Sequence, residues 1–200
     1  MGIIKLIFIR HPETEANVKR LVYGRTESEY TPRGIESIAW VLEQLSDTSI
    51  DRIYASPLKR AAFLASEIAK SNSPPIEVVF DDRLMEMDFG NFENRTIEEI
   101  MEIFGEELLH FRNDYVNFRI PKGESFSQVK DRVKEFIKEL EAQKENETVV
   151  VVAHSLVIRA ALSFLMNIPL KEARRFDIRP SGIVEINSDG ILSKLIYPTT

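Results

Sequence analysis

The stretch Ile3-Ile4-Lys5-Leu6-Ile7-Phe8-Ile9-Arg10-His11 decides the fold. Apart from Lys5 it is apolar at every position up to Ile9, and much of it is β-branched, so a strand formed here has no polar face to turn to water. Such a strand must be covered on both sides, which places it in the middle of an α/β sheet. Thr148 to Ala153, a second run of this kind, ends in His154-Ser155. Between and beyond these two runs, apolar segments alternate with helical patterns, and no repeat, low-complexity tract or Gly/Ser linker divides the chain.

Working outward, Thr31-Pro32 reads as an N-cap followed by proline in the first helical turn, with Ile35, Ile38, Leu42 and Leu45 at helical spacing behind it. Ile53-Tyr54-Ala55 reads as a short strand, and Ser56-Pro57 as the opening of a helix with Leu58, Ala61, Ala62, Ala65, Ile68 and Ala69 on its buried stripe. Ile76 to Phe80 and Leu84 to Met87 read as a strand broken at Asp81-Asp82. Thr96 with Glu99, and Ser125 with Gln128, form capping boxes; the first starts helical segments reaching about Asn117, and the second a long amphipathic helix. Ser155 to Met166 is apolar nearly all round, as expected of a buried helix, and Gly182 to Ile196 reads as a hairpin turning at Asp189-Gly190. The expectation is a three-layer α/β/α sandwich on a mixed, mainly parallel sheet, one domain over residues 1–200.

Composition narrows the function. The 200 residues carry 26 Lys+Arg against 32 Asp+Glu, a formal net charge of −6, which argues against nucleic acid as a partner. There is no cysteine, which excludes thiolate metal sites and cysteine nucleophiles. The N-terminal apolar run is too short for a membrane span or a signal segment, so a cytoplasmic protein is expected.

Ligands of open α/β sheets sit beyond the carboxyl ends of the strands. There the first strand delivers Arg10-His11, the second delivers Ser56 and, one helical turn on, Arg60, and the Thr148 to Ala153 strand delivers His154-Ser155. Two of the three histidines thus follow the two most apolar strands. Imidazoles and guanidinium groups gathered near helix N-termini suit a compact doubly charged anion such as phosphate, because the planar guanidinium binds two phosphate oxygens together. A neutral imidazole is a competent nucleophile toward phosphorus. Glu86, set among Leu84, Met85, Met87 and Phe89, is a candidate proton donor whose pKa desolvation would raise. No convergent carboxylate cluster is visible to hold a divalent metal, and the arginines supply the charge that Mg²⁺ supplies elsewhere, so neither metal nor other cofactor is expected.

These residues also carry a resemblance. Leu6-Ile7-Phe8-Ile9-Arg10-His11-Pro12-Glu13-Thr14-Glu15-Ala16-Asn17 resembles the signature of the histidine phosphatase superfamily, the phosphoglycerate mutase-like proteins. Thr31-Pro32-Arg33-Gly34, Ser56-Pro57-Leu58-Lys59-Arg60-Ala61, Leu84-Met85-Glu86 with Gly90, Gly123-Glu124-Ser125 and Val152-Ala153-His154 resemble the later blocks, in order. The resemblance implies His11 as nucleophile, Arg10, Asn17, Arg60 and His154 as phosphate ligands, and Glu86 as acid and base. Two positions depart from the pattern: glycine usually follows each pocket histidine, whereas here Pro12 and Ser155 stand. Pro12 withdraws a backbone donor, and the Ser155 hydroxyl is free to cap the next helix or touch the ligand. Tyr23 and Arg25, in the loop after the nucleophile, are expected at the mouth. The segment from Asn91 to Lys122 is expected to form a helical lid, with Phe104, Leu108, Phe111, Tyr115, Phe118, Arg112, Arg119 and Lys122 as contacts, and His110 carries no assigned chemistry.

The mutases of this superfamily have a longer segment between the acidic residue and the Gly-Glu-Ser block. The shorter form resembles the family's phosphatases, including α-ribazole 5′-phosphate phosphatases and broad-specificity phosphomonoesterases. The expected activity is therefore metal-independent hydrolysis of a small phosphorylated metabolite. A cofactor-dependent phosphoglycerate mutase and a non-catalytic phosphate-binding module are the alternatives.

Overall fold

The computed structural model describes residues 3–143 and 146–198. Its centre is a six-stranded sheet built from β1 (Lys5–Arg10), β2 (Arg52–Ala55), β3 (Val78–Phe80), β4 (Thr148–Ala153), β5 (Ile183–Asn187) and β6 (Leu192–Ile196), in the order β3-β2-β4-β1-β5-β6. The first four run parallel, and β5 and β6 are antiparallel additions at one side. The expected hairpin is the β5–β6 pair.

The period of two along a strand explains the layers. Leu6 and Phe8 of β1, with Val149, Val151 and Ala153 of β4, face one way and pack on α4 (Ile97–Asn113), α5 (Phe126–Gln143) and α6 (Ser155–Leu165). Ile7 and Ile9, with Val150 and Val152, face the other way onto α2 (Pro32–Leu45) and α3 (Lys59–Ser71). Both central strands are therefore buried on both faces, as their composition requires, and the sandwich has three layers. A short helix, α1 (Glu15–Val18), lies in the loop after β1.

Local signals held where side chains could satisfy helix ends. Thr31 Oγ1 accepts from Gly34 N–H at 2.9 Å with Pro32 at the start of α2, and Thr96 and Glu99 form their reciprocal pair at α4. Ser125 N–H donates to Gln128 Oε1 at 2.9 Å, completing the second box. Three expectations need correction. Leu84 to Met87 is not a strand: the Asp81 carboxylate accepts from Arg83 N–H and from its guanidinium, and this folds Asp82–Leu84 into a 3-10 turn. The helix after Ser56-Pro57 begins only at Lys59, because Leu58 N–H turns back to Ser56 Oγ while the Leu58 carbonyl accepts the first helical bonds. The helix from Thr96 ends at Asn113, short of Asn117.

Candidate active site

Strand register assembles the site. Arg10 pairs with Ala153 and Ala55 with Val152, so the residues that follow, His11, His154 and Ser56, emerge side by side at the carboxyl edge of the parallel strands. The imidazoles of His11 and His154 lie 5.2 Å apart between ring centroids, and both residues are buried. His11 Nδ1 lies 2.7 Å from the Pro12 carbonyl oxygen, which can only accept. Nδ1 therefore carries the ring proton and Nε2 keeps its lone pair. Desolvation, reinforced by the neighbouring cations Arg10 and Arg60, holds the His11 pKa well below that of an ordinary histidine, so the ring is neutral at neutral pH. His154 is held low in the same way, by burial first and then by Arg60, His11 and Arg10. Its Nε2 lies 2.8 Å from Ser56 Oγ.

Each guanidinium is fixed by carbonyl oxygens and leaves a buried nitrogen without a protein partner. Arg10 Nη1 donates to Ile178 O at 2.7 Å; Arg60 Nη1 donates to Thr26 O at 2.9 Å and Nη2 to Gly24 O. Arg10 Nε, Arg60 Nε and His154 Nδ1 are all buried and unsatisfied by the chain. Buried polar nitrogens are rarely left unpaired in proteins, and such a concentration beside two imidazoles suits an anion. The Arg60 guanidinium also stacks 4.8 Å from the Tyr23 ring centre, and Tyr23 Oη is 2.8 Å from Thr14 Oγ1. Burial raises the Tyr23 pKa, keeping the phenol protonated.

Glu86 faces this cluster from the loop after the 3-10 turn. It is buried, with Oε1 accepting from Met87 N–H at 2.9 Å and Oε2 from Leu156 N–H at 3.3 Å, in the first turn of α6. Arg132 fixes its backbone, donating to Glu86 O at 3.2 Å and to Arg83 O at 2.6 Å while pairing with Glu124 at 3.1 Å. Among the described residues, no three His, Asp or Glu side chains gather as a metal-ion cage.

The remaining expected residues divide. Asn17 sits at the rim of the α1 turn, its Oδ1 accepting from Thr14 N–H and Oγ1–H at 3.1 Å. Arg25 reaches Glu124 at 3.4 Å and the Met85 sulfur at 2.7 Å, so its cation is tied to the wall beside Glu86. The Ser155 hydroxyl does not cap α6, whose cap residue is His154; it accepts from Arg159 Nη1. Most of the expected lid contacts are packing groups: Leu108 is buried, and Phe92, Phe104, Phe111, Tyr115 and Phe126 form a chain of aromatic contacts 5.3–6.2 Å apart. Arg112, Arg119 and Lys122 are all exposed, and Arg119 Nε donates to Gly123 O at 2.9 Å. His110 stacks on Phe118 at 5.9 Å. Sequence reading assigned nothing to Arg159, Arg132 or Glu93; for Arg159 the available signal was its position one helical turn after Ser155. A separate groove of about 710 Å³, lined by Glu13, Arg33, Trp40, Arg179 and Tyr197 among others, shares none of the cluster's residues.

Comparison with known proteins shows the family. Residues 6–194 match the family described as the Histidine phosphatase superfamily (branch 1). The chain is 34% identical over 169 residues to Phosphoserine phosphatase 1 of Hydrogenobacter thermophilus, covering 84% of this chain and 79% of that one. It is 27% identical to the protein named "Probable phosphoglycerate mutase GpmB" in Shigella boydii, over 92% of this chain and 85% of the relative. The crystal structure of the α-ribazole phosphatase from Shigella flexneri superposes with a TM-score of 0.86 at 28% identity, covering 97% of this chain and 96% of that one. The chain belongs to the histidine phosphatase superfamily. Its enzyme class is that of a phosphatase. No described helix is long and apolar enough to cross a membrane.

Proposed function

We propose that the chain hydrolyses small phosphomonoesters through a phosphohistidine on His11 Nε2, without a metal ion. The observation that carries the reading is the His11–Pro12 hydrogen bond of 2.7 Å inside a pocket lined by Arg10 and Arg60, which leaves Nε2 as an unprotonated nucleophile among cations. In the first step Nε2 attacks phosphorus and the ester P–O bond breaks, while protonated Glu86 gives its proton to the departing oxygen. Arg10, Arg60, Asn17 and His154 hold the three non-bridging oxygens, whose charge must be stabilised in the transition state. In the second step Glu86, now a carboxylate, takes a proton from water as the water oxygen attacks phosphorus; the N–P bond breaks and phosphate leaves. The segment from Asn91 to Lys122 covers the leaving-group side.

The similarity to GpmB favours a second reading, in which the phosphoryl group returns to a bound product and the enzyme is a mutase; the short segment after Glu86 supports hydrolysis instead. Phosphoserine and α-ribazole 5′-phosphate enter as candidate substrates through the relatives' names. The test is turnover on a panel of O-phosphoserine, α-ribazole 5′-phosphate, 3-phosphoglycerate and sugar phosphates, following phosphate release and isomerisation together. Phosphate release is expected, with acid-labile, base-stable phosphate trapped on the wild type and absent from His11→Ala. Comparable label on His11→Ala would remove His11 from the role, and isomerisation without release would establish the mutase.

A further inference from the structure

We propose that Ser56 is a positioning residue of the site: its hydroxyl donates to His154 Nε2, which places the ring proton on Nδ1 and makes that nitrogen the donor that holds a phosphoryl oxygen. The inference deepens the phosphohistidine reading above and rests on it for the identity of the anion. Ser56 and His154 directly follow β2 and β4, strands paired side by side, and both residues are wholly buried. Ser56 N–H donates to Val152 O at 3.0 Å, so the sheet fixes the start of the turn. Pro57 has no N–H, and Leu58 N–H turns back to donate to Ser56 Oγ at 3.3 Å. Two residues further on, the same turn delivers Arg60 at the start of α3.

The direction of the Ser56–His154 hydrogen bond follows from where the protons can go. Among the described residues Ser56 Oγ meets the Leu58 N–H and His154 Nε2, the latter at 2.8 Å. Leu58 N–H can only donate, so the hydroxyl proton has one acceptor within reach, and that is Nε2. The opposite direction would strand the hydroxyl proton and leave Nδ1 as a bare lone pair, both of them buried. His154 is neutral, because burial first and then the neighbouring cations hold its pKa well below the usual histidine range. Its ring therefore carries one proton, and the position of that proton decides whether Nδ1 attracts an anion or repels it. Placed on Nδ1, the proton adds a donor to Arg10 Nε and Arg60 Nε, which are likewise buried and without a partner in the chain. His11 reaches the same tautomer by the opposite means, since the Pro12 carbonyl draws its proton to Nδ1 whereas Ser56 displaces that of His154 from Nε2. Nε2 of His11 keeps its lone pair for phosphorus and Nε2 of His154 is closed by Ser56, so the two imidazoles cannot exchange roles.

The test reads the tautomer and the chemistry separately. In protein carrying nitrogen-15 histidine, NMR should show His154, assigned by the loss of its signals in His154→Asn, protonated at Nδ1; protonation at Nε2 in the wild type would overturn the proposal. Ser56→Ala removes one buried oxygen and should keep a cooperative urea transition. In this variant the His154 proton should move to Nε2, kcat/KM on nitrophenyl phosphate should fall about ten- to hundredfold, and inhibition by inorganic phosphate should weaken, as when the partner that orients a functional imidazole is lost. An unmoved proton or an undiminished kcat/KM would overturn the role of Ser56. His154→Asn separates that role from support of the turn, because its amide nitrogen replaces Nδ1 and leaves nothing opposite the hydroxyl. Adding Ser56→Ala to His154→Asn should cost less than about twofold, whereas a loss as large as in the wild-type background would confine Ser56 to the Leu58 turn and overturn the proposal. A wild type that carries the Nδ1 proton yet releases no phosphate from nitrophenyl phosphate would overturn the phosphatase reading and the ligand role of His154 with it, a failure distinct from a misplaced proton.

Discussion

Glu93→Gln changes one atom of a half-buried carboxylate and should damage a site that the residue does not touch. Glu93 Oε1 accepts from Gly24 N–H at 2.9 Å and from Arg25 and Phe89 N–H at 3.0 Å, and Oε2 accepts from Thr26 N–H at 3.2 Å and Thr26 Oγ1–H at 2.8 Å. The loop pinned in this way supplies the Gly24 and Thr26 carbonyls that hold the Arg60 guanidinium. A glutamine amide fits the space but turns an NH₂ toward at least one backbone N–H. The orphaned donor costs about 1–3 kcal/mol, and losing the charge from the remaining bonds brings the total to about 2–4 kcal/mol.

The unfolding free energy from urea titration should fall by that amount, read as a lower midpoint at unchanged slope, and kcat/KM on nitrophenyl phosphate should drop at least about tenfold as Arg60 loosens. Burial pushes the Glu93 carboxyl pKa up, but hydrogen bonds from Gly24, Arg25, Phe89 and Thr26 outweigh it and hold the value below that of an ordinary carboxylate. A group with a lowered folded pKa stabilises above its unfolded pKa, and that stabilisation is lost as pH falls through the folded value. The gap between wild type and variant should therefore be full at neutral pH and close in acid. A variant with wild-type midpoint at pH 7, or a gap that does not vary with pH, would refute the clamp.

Three further outcomes follow from the same geometry. Because the His11 pKa is held below the usual histidine range, the nucleophile stays unprotonated as pH falls past 6.5, so the acid limb of kcat/KM assigned to it should lie lower; a limb at or above 6.5 tracking His11 would contradict the environment described. Glu86→Gln should slow phosphoenzyme formation from alkyl phosphates by about 10²–10⁴-fold and from nitrophenyl phosphate far less, since nitrophenolate needs no proton to leave; equal losses in a pre-steady-state burst would reduce Glu86 to a wall residue. Turnover should survive EDTA, and a loss restored by Mg²⁺ or Zn²⁺ would require a metal in the chemistry.

The central strands were legible because burial on both faces leaves no room for a polar period, and their ends named His11 and His154 directly. The helix caps at Thr31, Thr96 and Ser125 were legible for a similar reason, each being a local contract between residues three apart. What stayed hidden depends on distant partners. Leu84 to Met87 looks like a strand until the Asp81–Arg83 pairing folds it into a turn. Glu93 looks like a surface acid, because its partners Gly24 to Thr26 come from another part of the chain. The aromatics between Phe104 and Phe118 have a helical spacing that suits both lid contact and core packing, and the contacts to Phe92 and Phe126 decide for packing. At Pro12 the missing N–H drew attention in the sequence, yet what His11 takes from that position is a carbonyl, which every residue has.

The pairing of β1 with β4 has a kinetic meaning. The two imidazoles come from opposite ends of the chain, and only the register Arg10 to Ala153 brings them together. A contact so remote in sequence carries a large loop-closure cost and belongs among the late events of folding. Chains released unfinished, or held open by a partner, would therefore possess helices and local turns without an anion pocket, and could not bind or consume phosphate esters. Recovery of activity on refolding is a direct clock for closure of the central sheet.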